Sequence, residues 1–358
     1  MVISHMGALE LLRCRSLEGL LAAAGRTSLS VPAAVPTAEQ LATARRGLAT
    51  FGYAPERLEL MVGDLSSRVR RKNVVTHLQK GALPASSFVH ILDGIHVVSP
   101  EHLCVQLATR LSRMELTVLM AELLGTYALR EDGMFSREAP LMTRESMKAH
   151  LDALGEFKGA RVAREVLGRA PSNSASPMET KLYLRVSLPR RLGGYALPVK
   201  ALNEKIEVGL IGMGGRAGER RPDITMLPKE GADAPYAFVA LEYDGEAHLT
   251  RARQAADQRR SNEILSFGGR EYHVNKELYD NLSYMDDLMG RVAADLGRTP
   301  CRVTRALGEK RRLLRLSLKR ELDHIDGVNW DSKAREKARS ASKGPAEPEY
   351  VPLDEYWF

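Results

Sequence analysis

The chain is short of cysteine and of long apolar runs. Three cysteines, Cys14, Cys104 and Cys301, are spread over 358 residues with no Cys-x-x-Cys pair. That spacing excludes a disulfide framework and a cysteine zinc site, and it fits a reducing cytoplasm. No apolar stretch approaches the roughly 20 residues of a membrane span. The N-terminal stretch carries Glu10, Arg13, Arg15 and Glu18 among its apolar residues. It therefore lacks the uninterrupted core of a signal peptide and reads as an amphipathic helix.

What remains is an ordinary globular composition, 44% hydrophobic and 27% charged, which is enough to bury a core. The length suggests more than one domain. The net charge of +7 suits a polyanionic partner without requiring one.

The pattern of elements suggests an α/β chain, α+β overall. Residues 1–50 read as helical, with a break before Thr37. Between 57 and 98, short β-branched runs separated by turn residues predict a small sheet. Ser99-Pro100 then opens an amphipathic stretch through Leu103, Leu107, Leu111, Met114 and Val118. Residues 1–130 are expected to form an N-terminal domain, 131–171 a helical linker, 172–300 a second domain, and 301–358 a basic helix with a polar tail. In the second domain the expected order is a helix (177–188), a hairpin (about 205–228), a strand (236–243), a long helix (249–267) and a strand (270–275).

The chemistry-bearing residues gather in that second domain. "YAFVALEYD" is apolar up to Leu241 and then presents Glu242 and Asp244. Side chains two apart on a strand face the same way, roughly 6.6 Å apart at Cα. Two carboxylates so placed can share a hard cation such as Mg²⁺. Equally, Asp244-Gly245 can be simple turn chemistry. "RRPDITM" puts Asp223 at the start of a short β-branched run, and pairing with the Glu242 strand would bring the two carboxylates together. In "SPMET", Glu179 can close a capping box onto the Ser176 backbone N–H or point across to a cation. His248 follows the Asp-Gly pair, and the next helix places Asp257 and Arg260 on one face with Arg253 a turn earlier. These arginines either form a solvated face or hold phosphate oxygens.

Taken together, "SPMET … RRPDITM … FVALEYDGEAH … RARQAADQRRSNEILSFGGREYHV" resembles the PD-(D/E)xK nuclease superfamily, and within it the very-short-patch-repair-like endonuclease domains. The likeness covers about residues 172–280, on Glu179, Asp223, Glu242, Asp244, Gly245, His248, Asp257, Arg260 and Gly268 or Gly269. It implies a restriction-endonuclease-like mixed sheet flanked by helices, DNA as partner, and Mg²⁺ or Mn²⁺ held by Asp223, Glu242 and Asp244. It further implies catalytic roles for Glu179, Asp223, Glu242 and Asp244, with His248 handling a proton. Asp244 stands where the family usually has lysine, which keeps a non-catalytic DNA-binding reading in play. "LPASSFVHILDGIHVVSPEHLCVQLATRL" is similar to the antitoxin-like region that precedes such domains in bacterial proteins.

Other signals point elsewhere or nowhere. Gly212-x-Gly214-x-x-Ala217 imitates a dinucleotide fingerprint, but Pro222 and the strand after it deny the helix that such a site needs. No nucleotide cofactor is expected. In "RALGEKRRLLRLSLKRELDHI", Leu307, Leu314, Leu318, Leu322 and Ile325 share a face. Arg311, Arg312 and Arg315 lie mostly off it, as a solvated surface or as phosphate contacts. His90, His96 and His102, six residues apart each time, fit no zinc spacing.

Overall fold

The computed structural model describes residues 1–209, 217–245, 251–298, 303–330, 333 and 353–357, without the side chains of 251–257. None of its helices is long and apolar enough to cross a membrane. The chain forms two compact units, the first of Met1–Ala170 with Gly327–Lys333 and the second of Pro171–Asp326 with Ala334–Phe358.

The first unit is built on a six-stranded sheet in the order β2-β5-β6-β1-β3-β4. Its strands are β1 (Val2–Ile3), β2 (Arg26–Thr27), β3 (Leu58–Val62), β4 (Val74–Leu78), β5 (Phe88–Leu92) and β6 (Ile95–Val98). The stretch read as all helical therefore donates two strands. Each is only two residues long, too short to show a period of two, and each is recognised only by its partner. β1 runs parallel to β6 and antiparallel to β3, and β3 runs parallel to β4. The helices are α1 (His5–Leu12), α2 (Glu18–Ala23), α3 (Ala38–Ala49), α4 (Pro100–Leu107), α5 (Arg113–Leu123), α6 (Arg144–Leu154) and α7 (Ala160–Leu167), with the hairpin β7 (Tyr127–Arg130) and β8 (Gly133–Ser136). Thr37 caps α3 in a capping box with Gln40. The amphipathic stretch from Pro100 is two helices, because Ser112 and Glu115 close a second capping box and start α5 afresh. Residues 131–170 pack in this unit and are not a separate linker. Both α6 and α7 bury apolar faces there, through Met147, Leu151, Ala163 and Val166.

The second unit contains the mixed sheet β14-β13-β12-β9. Its strands are β9 (Val199–Leu202), β12 (Ile224–Met226), β13 (Phe238–Asp244) and β14 (Gly269–Asn275), with a separate hairpin of β10 (Ile206–Gly209) and β11 (Ala217–Arg220). Ala217 opens a strand, in keeping with a hairpin and not a nucleotide loop; Gly212 and Gly214 lie outside the described residues. β12 pairs antiparallel to both β13 and β9, while β13 and β14 are parallel. A parallel pair needs a crossover, and α9 (Arg251–Ser266) supplies it.

The two faces of this sheet differ because side chains alternate. Val239 and Leu241 of β13, with Ile224, Met226 and Val274, pack against Leu182 and Val186 of α8 (Pro177–Ser187) and against α11 (Leu282–Asp295). On the other face Phe238 and Ala240 meet Ile264 of α9. α10 (Lys276–Asp280) and α12 (Arg305–His324) complete the unit, so the basic helix belongs to this body instead of standing apart. Leu314, Leu318, Leu322 and Ile325 are buried, whereas Leu307 is exposed.

Two adjacent glycines let α9 return into β14. Gly268 has φ 78°, the left-handed region that favours glycine. Gly269 lies directly under the Phe238 ring, where a Cβ would collide with it. Gly269→Ala is therefore expected to destabilise the second unit by roughly 1–3 kcal/mol, read as a lowered midpoint in denaturant. Gly290→Ala, inside α11 where an added Cβ meets nothing within 4 Å, is the control and should instead stabilise by roughly 0.5–1 kcal/mol.

Candidate functional site

The side of the sheet that faces α9 turns acidic where β13 ends. Glu242 follows Phe238 and Ala240 on that face, and Asp244 follows Glu242. In the antiparallel pairing Ile224 lies opposite Leu241, so one further step sets Asp223 beside Glu242. The parallel neighbour adds two groups, since Ala240 pairs with Glu271 and Glu242 with His273. The expected meeting of Asp223 and Glu242 thus occurs, in one sheet, on adjacent strands.

Each carboxylate has a defined partner. Asp223 Oδ2 accepts the Tyr243 backbone N–H at 2.7 Å. Glu242, with 7% of its surface exposed, forms a close ion pair with Arg260 of α9. The same guanidinium lies 3.4 Å from Glu271 Oε1 through Nε and donates to the Arg221 carbonyl at 3.2 Å. Glu271 also accepts from the Ser261 hydroxyl. His273 bridges two acids, with Nδ1 3.2 Å from Asp244 Oδ2 and Nε2 3.3 Å from Glu271 Oε2.

Glu179 enters from the first turn of α8. Ser176 Oγ accepts its backbone N–H at 3.1 Å, which is half of the anticipated capping box. The other half differs: Glu179 Oε2 accepts from Ala175 N–H at 2.8 Å and from the Asn203 side-chain amide at 2.7 Å. Asn203, at φ 51°, also donates its own N–H to the carbonyls of Pro222 and Asp223, at 3.0 and 3.2 Å. One asparagine thereby ties Glu179 to the start of β12.

The electrostatics follow from crowding acids where water is scarce. Burial, then Glu179, pushes the Asp223 carboxyl up to about 6, with Tyr243 N–H and Arg260 working against them and Asp244 adding. Burial, then Asp223, pushes Glu242 up to about 8, with Arg260 and His273 opposing and Glu271 adding. Burial would also raise Glu271, but hydrogen bonds from His273 and Ser261, with the charges of His273 and Arg260, hold it below the usual range. The Glu271 hydrogen bond, and the Asp244 charge, raise His273 to about 9 against the cost of burial, so its ring is charged at neutral pH.

Several expected participants stand apart from this cluster. Arg315 pairs with Asp286 at 2.9 Å and stacks over Tyr195 at 4.6 Å, which gives it a packing role in the body of the unit. Arg311 is half-buried and Arg312 exposed. His248 and the side chains of Arg253 and Asp257 lie outside the described residues. Among the described residues, Asp223, Glu242 and Asp244 are not a set whose ligand atoms all lie within 4.8 Å of one another; the group that meets this spacing is His5, Glu59 and His77. Sequence reasoning missed Glu271, His273 and Asn203. The Glu-x-His alternation in "GREYHVN" was the available signal for the first two, because it repeats on β14 what Glu-x-Asp does on β13. No signal marked Asn203.

No protein-family model, no curated protein and no solved structure matches the chain.

The raised carboxyls predict a pH signature. Between the ordinary carboxylate range and their folded values of about 6 and 8, Asp223 and Glu242 hold protons in the folded chain that the unfolded chain has released. The folded state binds more protons there, so these groups take away stability as pH rises. In EDTA, Glu242→Gln should therefore gain in Tm relative to the wild type as pH goes from 5 to 9. A difference that does not vary with pH would mean that Glu242 ionises normally.

Proposed function

We propose that the second unit carries out metal-assisted hydrolysis of DNA phosphodiester bonds. The observation that supports this most is the Asp223–Glu242 pair. Two carboxylates sit side by side at the ends of adjacent strands, both held above the usual range by burial and by neighbouring acids. Such a pair has more to gain from a divalent cation than exposed acids have.

The donors are oxygens, which suit Mg²⁺ or Mn²⁺. Asp223 and Glu242 would hold the ion, with Asp244 beside them on the same face. When bound, the ion would polarise the scissile phosphate and acidify a water. The chain's own groups do the rest. Asn203 fixes Glu179 against the start of β12. His273 places a positive ring next to Asp244, near the position where the PD-(D/E)xK pattern has lysine, and offers charge to a phosphate oxygen. Arg260 stands between Glu242 and Glu271, hydrogen-bonded to the first and 3.4 Å from the second. Arg312, exposed on α12, is suited to backbone phosphate contact. By the antitoxin-like resemblance, the first unit would regulate or position DNA.

The close contact of Arg260 with Glu242, a full ion pair once Glu242 ionises above about 8, favours a second reading. A guanidinium already supplies the positive charge that a cation would bring, as expected for a nuclease domain that binds DNA without cutting it.

Cleavage assays on single-stranded, duplex and mismatched DNA, with Mg²⁺, Mn²⁺ or EDTA, separate the two. Metal-dependent cutting is expected, and Asp223→Asn or Glu242→Gln should abolish it while leaving the fold intact. Salt-sensitive binding with no cutting on any substrate, equal for wild type and Asp223→Asn, would establish the second reading. Arg312→Ala should weaken binding about equally across sequences and flatten its salt dependence.

A further inference from the structure

The first unit carries a cluster of different chemistry. Glu59 lies on β3 and His77 on β4. The strands run parallel, with Glu59 opposite Val75 and Met61 opposite His77, so Glu59 and His77 project from one face, one pairing step apart. β1 delivers the third group: the Ser4 N–H donates to the Glu59 carbonyl at 2.9 Å, and His5 follows at the start of α1. α1 can lie close over this face because residue 7 is glycine. A Cβ there would sit 3.1 Å from Tyr53 Oη and 3.4 Å from Glu59 Cβ.

One ligand atom from each of His5, Glu59 and His77 lies within 4.8 Å of the other two. His77 Nε2 is 2.9 Å from Glu59 Oε2, and the two imidazoles stack with centroids 3.8 Å apart. His5 is held from two sides. Its Nδ1 meets Ser4 Oγ at 3.1 Å, which directs Nε2 to any ligand role, and its backbone N–H donates to Gln106 Oε1 at 3.0 Å. Its φ of 53° is a conformation that residues other than glycine take up only where the surroundings impose it.

Two imidazoles and one carboxylate suit zinc and its transition-metal neighbours, and not Mg²⁺ or Ca²⁺, which prefer oxygen throughout. With bonds of about 2.0–2.2 Å, tetrahedral ligand atoms stand roughly 3.3 Å from one another, so small side-chain rotations would complete the set. The Ser4 contact is the kind of outer hydrogen bond that orients a ligating histidine. The side chains of Glu59 and His77 are 13% and 17% exposed, so solvent reaches them. Arg110, 40% exposed and 3.5 Å from Glu59, is the competing cation that must yield. We propose that His5, Glu59 and His77 bind a zinc-class divalent ion, with a further coordination position left to water.

The test uses the 358-residue chain, stripped with EDTA. A single equivalent of Co²⁺ should give a visible d–d band that Zn²⁺ displaces, and Zn²⁺ should raise Tm. Glu59→Gln and His77→Ala should lose the band. Ser4→Ala should weaken binding by roughly tenfold, and Arg110→Ala should strengthen it. Asp223→Asn should leave the band unchanged, which separates this ion from the one proposed for the second unit. His77→Asn, a smaller change to packing, is measured beside His77→Ala, with circular dichroism confirming the fold. Absence of a band in the wild type, or a band that survives both His77 variants, would overturn the proposal.

Discussion

The second unit depends on how Arg260 settles a concentration of acid against a sheet face. Burying a carboxylate is costly unless a partner offsets it, and removing one partner of a buried pair leaves a charge stranded. Glu242 and Glu271 stand on neighbouring strands of the same face, and the Arg260 guanidinium reaches both from α9. The crossover helix can lie there because of this contact together with the small apolar patch of Phe238, Ala240 and Ile264. The glycines at 268 and 269 then return the chain into β14 close enough to bring Glu271 and His273 into the cluster.

The two sides of this sheet do different work. Against α8 and α11 the side chains are apolar and closely packed, and that face can carry most of the stability by removing apolar area from water. The face towards α9 has few apolar contacts and several charges whose mutual repulsion is only partly relieved. Such an arrangement is poor for stability in isolation and suited to capturing something positive. Catalytic and binding sites are commonly found where local energetics are sacrificed in this way.

The donor sets of the two units differ in kind. Asp223, Glu242 and Asp244 offer oxygen alone, the preference of hard cations. His5, Glu59 and His77 offer two nitrogens and one oxygen, the preference of zinc and its neighbours. On the two proposals the clusters would take different ions, so each can be tested separately.

The sequence by itself determined the local elements and the acidic face of the second unit. Ser176-Pro177 marked the start of α8, residues 236–243 read as a strand, and the period of two put Glu242 and Asp244 on one side. Pro222-Asp223 before a β-branched run put Asp223 beside Glu242 only on condition that the two runs pair, and the pairing of β12 with β13 meets that condition. These signals are legible because capping and strand alternation act over a few neighbouring residues. Tertiary structure decided everything that depends on distant partners. The two-residue strands at Val2–Ile3 and Arg26–Thr27 exist only through their neighbours. Arg315 became a packing residue because Asp286 and Tyr195 lie against it. Glu179 turned to Ala175 and Asn203 instead of the Ser176 N–H because β9 brings an amide within reach. The His5–Glu59–His77 cluster draws on positions far apart in the chain, joined only by the order β1-β3-β4. No periodicity encodes such a meeting, because it arises from how strands pair and not from how any one of them is written.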